Sequence, residues 1–250
     1  PTTAGSGSEA TRFAVVYIDK TKYSLEHEFI LPDYAIVDPQ FTMKLPKNIT
    51  AYTGMDALSQ AIESYWSVNS TNISKKYASK AIQIIIKNLP VAVSNPSKKA
   101  RNAMAKAANL AGKAINITRT TACHAISYPI TSYIGIPHGH AVALTLSPIL
   151  KYNSQVTEQN ILDKRRVNYV KKSINEIASL LGAKNVEEAA NILIKLMRKI
   201  GLNTELSELG IRTDEDINII VKNGFNPDRV KNNPRKLTEE ALRKILYSII

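Results

Sequence analysis

Residues 54–66 read GMDALSQAIESYW, and residues 123–141 read CHAISYPITSYIGIPHGHA. The first stretch is helical in pattern and places Asp56 and Gln60 four residues apart, on one helix face, where both side chains can point at one ion. The second carries His124 and His138, fourteen positions apart. Two imidazoles and one carboxylate suit a borderline divalent ion such as Fe(II) or Zn(II). Asp56, Gln60, His124 and His138 together read as an open metal site assembled on helices. The bland alternative is a pair of satisfied core histidines. No HExxH occurs, which disfavours a metalloprotease, and no CxxC occurs, which excludes a zinc ribbon.

Outward from these stretches the pattern divides in two. Residues 13–18 (FAVVYI) and 34–37 (YAIV) are short, apolar and β-rich, and 23–30 between them reads as a further strand. Pro39 closes the β portion. From Thr50 onward the pattern is helical, with Thr53 a candidate cap for GMDALSQAIESYW. Apolar periodicity predicts helices over 74–89, 98–117, 122–134, 138–150, 161–181, 186–200, 214–223 and 238–249. Pro129 is a candidate kink, and Thr213 and Thr238 are candidate N-caps. The fold class is therefore mainly α with a small N-terminal β portion.

With 250 residues, 44% hydrophobic and 22% charged, the chain can bury a large core. No apolar run approaches the roughly 20 residues of a membrane span. The one cysteine, Cys123, excludes an intramolecular disulfide and fits a reducing cytoplasm. The net charge of +12 suggests nucleic acid, but its distribution argues otherwise. No acidic residue lies between Glu63 and Glu158, while lysines and arginines recur from Lys75 to Lys151. Few aromatics interleave with them, so a base-stacking platform is not expected. The cations are either solvated helix faces or a positive field that attracts an anionic cofactor or substrate.

The opening PTTAGSGSE offers hydroxyls at Thr2, Thr3, Ser6 and Ser8, and close backbone approach at Gly5 and Gly7. That composition suits a phosphate or dinucleotide, and it also suits a plain flexible turn. Such loops normally follow a strand, so a further segment is expected ahead of Pro1.

Four blocks, PTTAGSGSE (1–9), LPDYAIVDP (31–39), TGMDALSQAIESY (53–65) and CHAIS…GIPHGHAVAL (123–144), resemble the iron-containing (group III) alcohol dehydrogenases in order and spacing. The similarity is strong to about Asn153 and continues more weakly through NPDRV and NNPRKLTEE. The resemblance implies a dehydroquinate-synthase-like architecture, α/β plus all-α, with the N-terminal Rossmann-like part largely missing. Residues 1–48 would be the remainder of the cofactor-binding α/β domain. Residues 49–250 would be the all-helical domain that carries the metal and the chemistry.

The resemblance also lends roles. Asp56, His124 and His138 match three metal ligands of the family, and Gln60 stands where the fourth is usually histidine. Tyr128 stands where many members carry a histidine linked to proton transfer, and His140 is a substitute for that role. Thr2, Thr3, Gly5, Ser6, Gly7 and Ser8 match the cofactor loop, and Lys22 matches a lysine that contacts the cofactor ribose. The implied cofactors are NAD(H) or NADP(H) and a divalent metal. The implied activity is the interconversion of a small aldehyde and its alcohol, with no membrane or nucleic-acid partner and room for a homodimer. The wording of ALSQAIESYWSVNST and PHGHAVALTLS is most similar to the branch that reduces phosphonoacetaldehyde to 2-hydroxyethylphosphonate. A phosphonate needs a cationic clamp, for which Arg119, Arg229 and Arg235 are candidates. The competing expectations are a lyase of dehydroquinate-synthase type and a truncated, inactive homologue that binds partners.

Overall fold

The structure, a computed structural model, describes residues 1–18, 21–225 and 230–250, without the side chains of residues 17, 21 and 22. Its axis is helix α1 (Lys47–Trp66), in which every residue from Gly54 to Trp66 is buried. A helix buried on all faces, with Asp56, Gln60 and Glu63 among its buried residues, requires that other elements surround it. Four do so: α2 (Asn72–Ser94), α3 (Lys98–Thr118), α5 (His138–Ser154) and α6 (Arg166–Leu180) all pack against α1. Burial of Met55, Leu58, Ile62 and Trp66 along α1 contributes about 1.5–3 kcal/mol for each side chain. Between α3 and α5 lies α4 (Ala122–Ile134), packed on α5. Helices α7 (Val186–Lys199), α8 (Asp214–Gly224) and α9 (Glu239–Tyr247) follow among the described residues. None of the described helices is long and apolar enough to cross a membrane.

Local chemistry sets several helix ends. Thr71 and Ser74 form a reciprocal capping box at the start of α2, and Ser97 caps α3. Thr213 and Thr238 accept from Asp216 and Ala241 amides, so both are the caps expected from the sequence. Thr53 is not a cap. The helix begins earlier, at Lys47, because Pro46 supplies a fixed φ of −55° and an extended ψ just ahead of it. The Thr53 hydroxyl turns back onto the Ile49 carbonyl at 2.9 Å. Pro129 lies inside α4, which runs through it and ends at Gly135 in the left-handed region. The helix expected over 161–181 begins at Arg166, because Ile161 bridges to Arg235 instead.

The β portion is a single antiparallel hairpin among the described residues. β1 (Phe13–Ile18) pairs with β2 (Thr21–Glu26) from Phe13↔Glu26 to Ile18↔Thr21. The strand expected over 23–30 stops at Glu26, since β1 offers no partner further on, and residues 28–30 wind into a 3₁₀ turn capped by His27. The strand expected over 34–37 does not form. No strand lies beside it among the described residues, and Tyr34 and Ile36 are exposed.

The opening loop lies on α3. Arg12 donates its amide to Asn116 Oδ1 at 3.0 Å, and Asn109 donates to Glu9 Oε1 at 3.0 Å. Gly7, at φ 60°, lies against Gly112, where a Cβ would stand 2.4 Å from the Gly7 carbonyl oxygen. Two glycines facing each other allow this backbone contact, and no other residue pair would.

Candidate metal centre and its cleft

Three helices converge on one point. Asp56 comes from α1, His124 from the first turn of α4, and His138 from the first residue of α5. One donor atom from each lies within 4.8 Å of the others. His124 Nε2 is 3.3 Å from Asp56 Oδ1, and His138 Nε2 is 3.9 Å from the same oxygen. Metal–ligand bonds of about 2.1 Å in a tetrahedral arrangement place donors about 3.4 Å apart. The 3.3 Å separation matches that spacing and the 3.9 Å one is somewhat wider, so the three groups form a cluster that could hold a small divalent ion. Asp56 and His124 are buried and His138 is partly open to the cleft. His124 Nε2 is buried without a well-formed hydrogen bond. In a protein interior such an atom is costly unless something else satisfies it.

Gln60 lies one turn along α1, donates through Nε2 to Asp56 Oδ2 at 3.2 Å, and keeps Oε1 buried with no hydrogen-bond partner. Its amide steadies the carboxylate, which leaves Oδ1 facing the imidazoles.

Glu63, one further turn along the same face, went unrecognised in the sequence. It is fully buried. Its Oε1 accepts from the Thr121 amide at 3.1 Å, the Thr121 hydroxyl at 2.6 Å and the Cys123 amide at 2.9 Å. Its Oε2 meets His124 Nδ1. One carboxylate from α1 thus caps the amino end of α4 and holds the far side of the His124 ring. With Nδ1 engaged, Nε2 is the nitrogen presented to the centre. Burial, the largest influence on His124, disfavours its charged form; Glu63 and Asp56 outweigh it and hold the pKa at about 9. The signal in the sequence was the spacing: Asp56, Gln60 and Glu63 at i, i+4 and i+7 share one face.

The centre opens into a cleft of about 630 Å³ between the helices and the hairpin. Ser6 and Ser8 of the opening loop line it, as do Phe13, Val15, Ile115 and Tyr128. Tyr128 stacks on His138 with ring centroids 6.2 Å apart. Thr2, Thr3, Gly5 and Gly7 belong to the same loop but not to the lining, and Gly5 packs on Thr53. Lys22 is in β2, and its side chain lies outside the described residues. Arg119 lines the cleft; Arg229 lies outside the described residues.

Two candidates are turned away. His140 is buried behind the centre, with Nε2 on the Asn203 carbonyl at 2.8 Å and its ring stacked on Tyr52. Two residues beyond His138 on a helix is about 200° round the axis, so the two rings face opposite ways. Arg235 stacks its guanidinium 3.8 Å from the centroid of the Tyr152 ring and donates to the Tyr152 carbonyl at 2.6 Å, away from the cleft.

Residues 50–250 match the C-terminal model of the Fe-containing alcohol dehydrogenase family, and residues 1–39 match the iron-containing alcohol dehydrogenase model. Phosphonoacetaldehyde reductase of Streptomyces viridochromogenes is 33% identical over 98% of this chain and 62% of its own length. NAD-dependent methanol dehydrogenase of Bacillus methanolicus is 32% identical over 100% of this chain and 65% of its own. The crystal structure of sulfoacetaldehyde reductase from Bifidobacterium kashiwanohense in complex with NAD+ superposes with a TM-score of 0.86 at 36% identity, covering 100% of this chain and 63% of that one. The chain thus spans less than two thirds of the length of these relatives. With a family model covering most of its residues, this chain belongs to the iron-containing alcohol dehydrogenase family.

Proposed function

We propose that this chain carries the metal- and substrate-binding part of a nicotinamide-dependent aldehyde reductase, with iron(II) as the metal. The observation that supports it best is the convergence of Asp56, His124 and His138 at the floor of a cleft that the Ser6–Ser8 loop also enters. In this reading residues 1–48 belong to the cofactor domain, residues 49–250 form the metal-bearing helical domain, and the architecture is of dehydroquinate-synthase type. Asp56, His124 and His138 would hold the ion, with Gln60 beside them. The His124 Nε2 and Gln60 Oε1 atoms, buried without hydrogen bonds, fit that role. When bound, the metal supplies Lewis acidity toward a carbonyl oxygen, and the reduced nicotinamide supplies a hydride.

This chain's own residues do the rest. Glu63 fixes the His124 ring, and Gln60 orients Asp56. Ser6 and Ser8 offer hydroxyls to the cofactor phosphates, on a loop whose glycines seat it against α1 and α3. Phe13, Val15 and Ile115 exclude water from the reacting carbon. Tyr128, which lines the cleft and stacks on His138, would give a proton to the product oxygen in this reading. The proposed substrates are short aldehydes, phosphonoacetaldehyde among them, in keeping with the relatives that reduce phosphonoacetaldehyde and sulfoacetaldehyde. A reducing cytoplasm suits both the buried Cys123 thiol and ferrous iron.

The test is direct. The protein expressed from its full reading frame is loaded with iron(II), and NADH and NADPH oxidation is followed with acetaldehyde and phosphonoacetaldehyde. Metal-dependent turnover that Asp56→Ala abolishes is the expected result. Stoichiometric metal binding with no aldehyde reduction by either cofactor would sink the proposal.

A further inference from the structure

Arg119 has a backbone that arginine does not choose. It is the C-cap of α3, at φ 59° and ψ 176°. That conformation lies at the edge of a region entered without strain only by glycine.

The surroundings hold it there. The Thr118 carbonyl accepts from Ser67 Oγ at 3.2 Å and Asn69 Nδ2 at 3.3 Å. Arg119's own carbonyl accepts from the Thr118 hydroxyl at 2.9 Å, and the Thr120 carbonyl accepts from Asn232 Nδ2 at 3.2 Å. None of these bonds uses the guanidinium. The turn would be made equally well, and with less strain, by glycine, so the arginine's contribution lies in its side chain.

That side chain lines the cleft together with Asp56, His124 and His138, and it is the one lysine or arginine among the described lining residues. Its guanidinium meets Glu26 on β2, and Glu26 also accepts from Arg12 Nε at 2.9 Å. Glu26 is shared between Arg119 and Arg12, so the carboxylate does not engage the Arg119 guanidinium alone. Arg119 is half exposed, with its charge reachable from the cleft.

We propose that Arg119 is a specificity-determining residue: it binds the anionic head of an aldehyde whose carbonyl sits at the Asp56–His124–His138 centre. This rests on the aldehyde-reductase reading above. The chemistry recognised is a tetrahedral oxyanion, phosphonate or sulfonate, separated by a short carbon link from the reacting carbon. A guanidinium presents a planar fork of donors to two such oxygens at once. The dinucleotide's phosphates carry the same oxygens, so the test separates the two sources.

The protein from its full reading frame is compared with Arg119→Gly and Arg119→Lys. Glycine suits this backbone, so Arg119→Gly is expected to fold with a melting temperature at or above the parent's. The ratio of kcat/KM for phosphonoacetaldehyde to that for acetaldehyde should fall roughly 10- to 100-fold in Arg119→Gly. The fall should lie mainly in KM, and Arg119→Lys should retain part of the preference. Added salt should raise the phosphonoacetaldehyde KM of the parent more steeply than that of Arg119→Gly. An unchanged ratio would overturn the proposal, as would a loss confined to the KM of the nicotinamide cofactor. If the parent reduces no aldehyde, the preceding reading fails, and calorimetric titration with 2-hydroxyethylphosphonate decides this one. Binding at least tenfold tighter to the parent than to Arg119→Gly supports it; equal binding, or none, refutes it.

Discussion

A methyl group on Gly139 would stand 2.0 Å from the Tyr52 carbonyl oxygen and 3.0 Å from Asp56 Cβ. Helix α5 therefore meets α1 backbone to backbone, one residue after His138 and four before Asp56. This contact sets the 3.9 Å between His138 Nε2 and Asp56 Oδ1. Neither helix can yield cheaply, because the atom in the way is main chain.

Gly139→Ala is expected to push α5 off α1 and to open the His138–Asp56 separation. Overpacking of this kind costs about 1–3 kcal/mol. Denaturant unfolding should show that loss, and calorimetric titration with iron(II) or zinc(II) should show affinity at least tenfold weaker. A variant with the parent's affinity would mean that this contact does not set the centre's geometry.

Glu63→Gln keeps the shape of the side chain and removes its charge. Loss of an outer carboxylate partner to a ligand histidine typically weakens metal binding about 10- to 100-fold. The same range is expected here, measured by competition with a chromophoric chelator. Glu63→Ala should also destabilise the fold, because the Thr121 and Cys123 amides at the buried start of α4 lose their acceptor. Metal affinity untouched by Glu63→Gln would restrict the residue to capping α4.

Gln60→His should tighten binding of a divalent transition metal, since imidazole is the stronger donor and the position shares the Asp56 face. Metal titration of the two forms decides it. Equal or weaker binding by the histidine variant would show that position 60 acts on Asp56 and not on the ion.

Gly112→Ala probes the opening loop, proposed above to hold the cofactor. The added methyl group would meet the Gly7 carbonyl oxygen at 2.4 Å, so the loop must lift from α3. The expected result is weaker NAD(H) or NADP(H) binding, read by nucleotide fluorescence, with metal binding preserved. Parallel loss of both would point to general unfolding of the helical part.

Much of this protein was legible locally. Apolar periodicity placed the cores of α2, α3, α4 and α7 within a few residues of their observed ends. The i, i+4 spacing put Asp56 and Gln60 on one face, because helix geometry alone dictates that relation. Thr213 and Thr238 announced their caps for the same local reason. Other features depended on what lies across the fold. YAIV at 34–37 has strand composition, yet a strand exists only where a neighbour supplies hydrogen bonds. The reach of Glu63 to His124 spans 61 positions and exists because α1 and α4 meet there. His140 reads as a spare imidazole until packing aims it at Asn203, and Arg119 and Arg235 read as equal candidate clamps until the fold puts Arg119 at the cleft and Arg235 on Tyr152. Most helical stretches and the faces that carry donors are readable without the fold, since they follow from 3.6 residues per turn and side-chain chemistry; the starts of α1 and α6 are not. Which donors meet depends on the whole fold, because close packing at Gly54 against Leu89 and at Gly139 against the Tyr52 carbonyl sets how near the helices come.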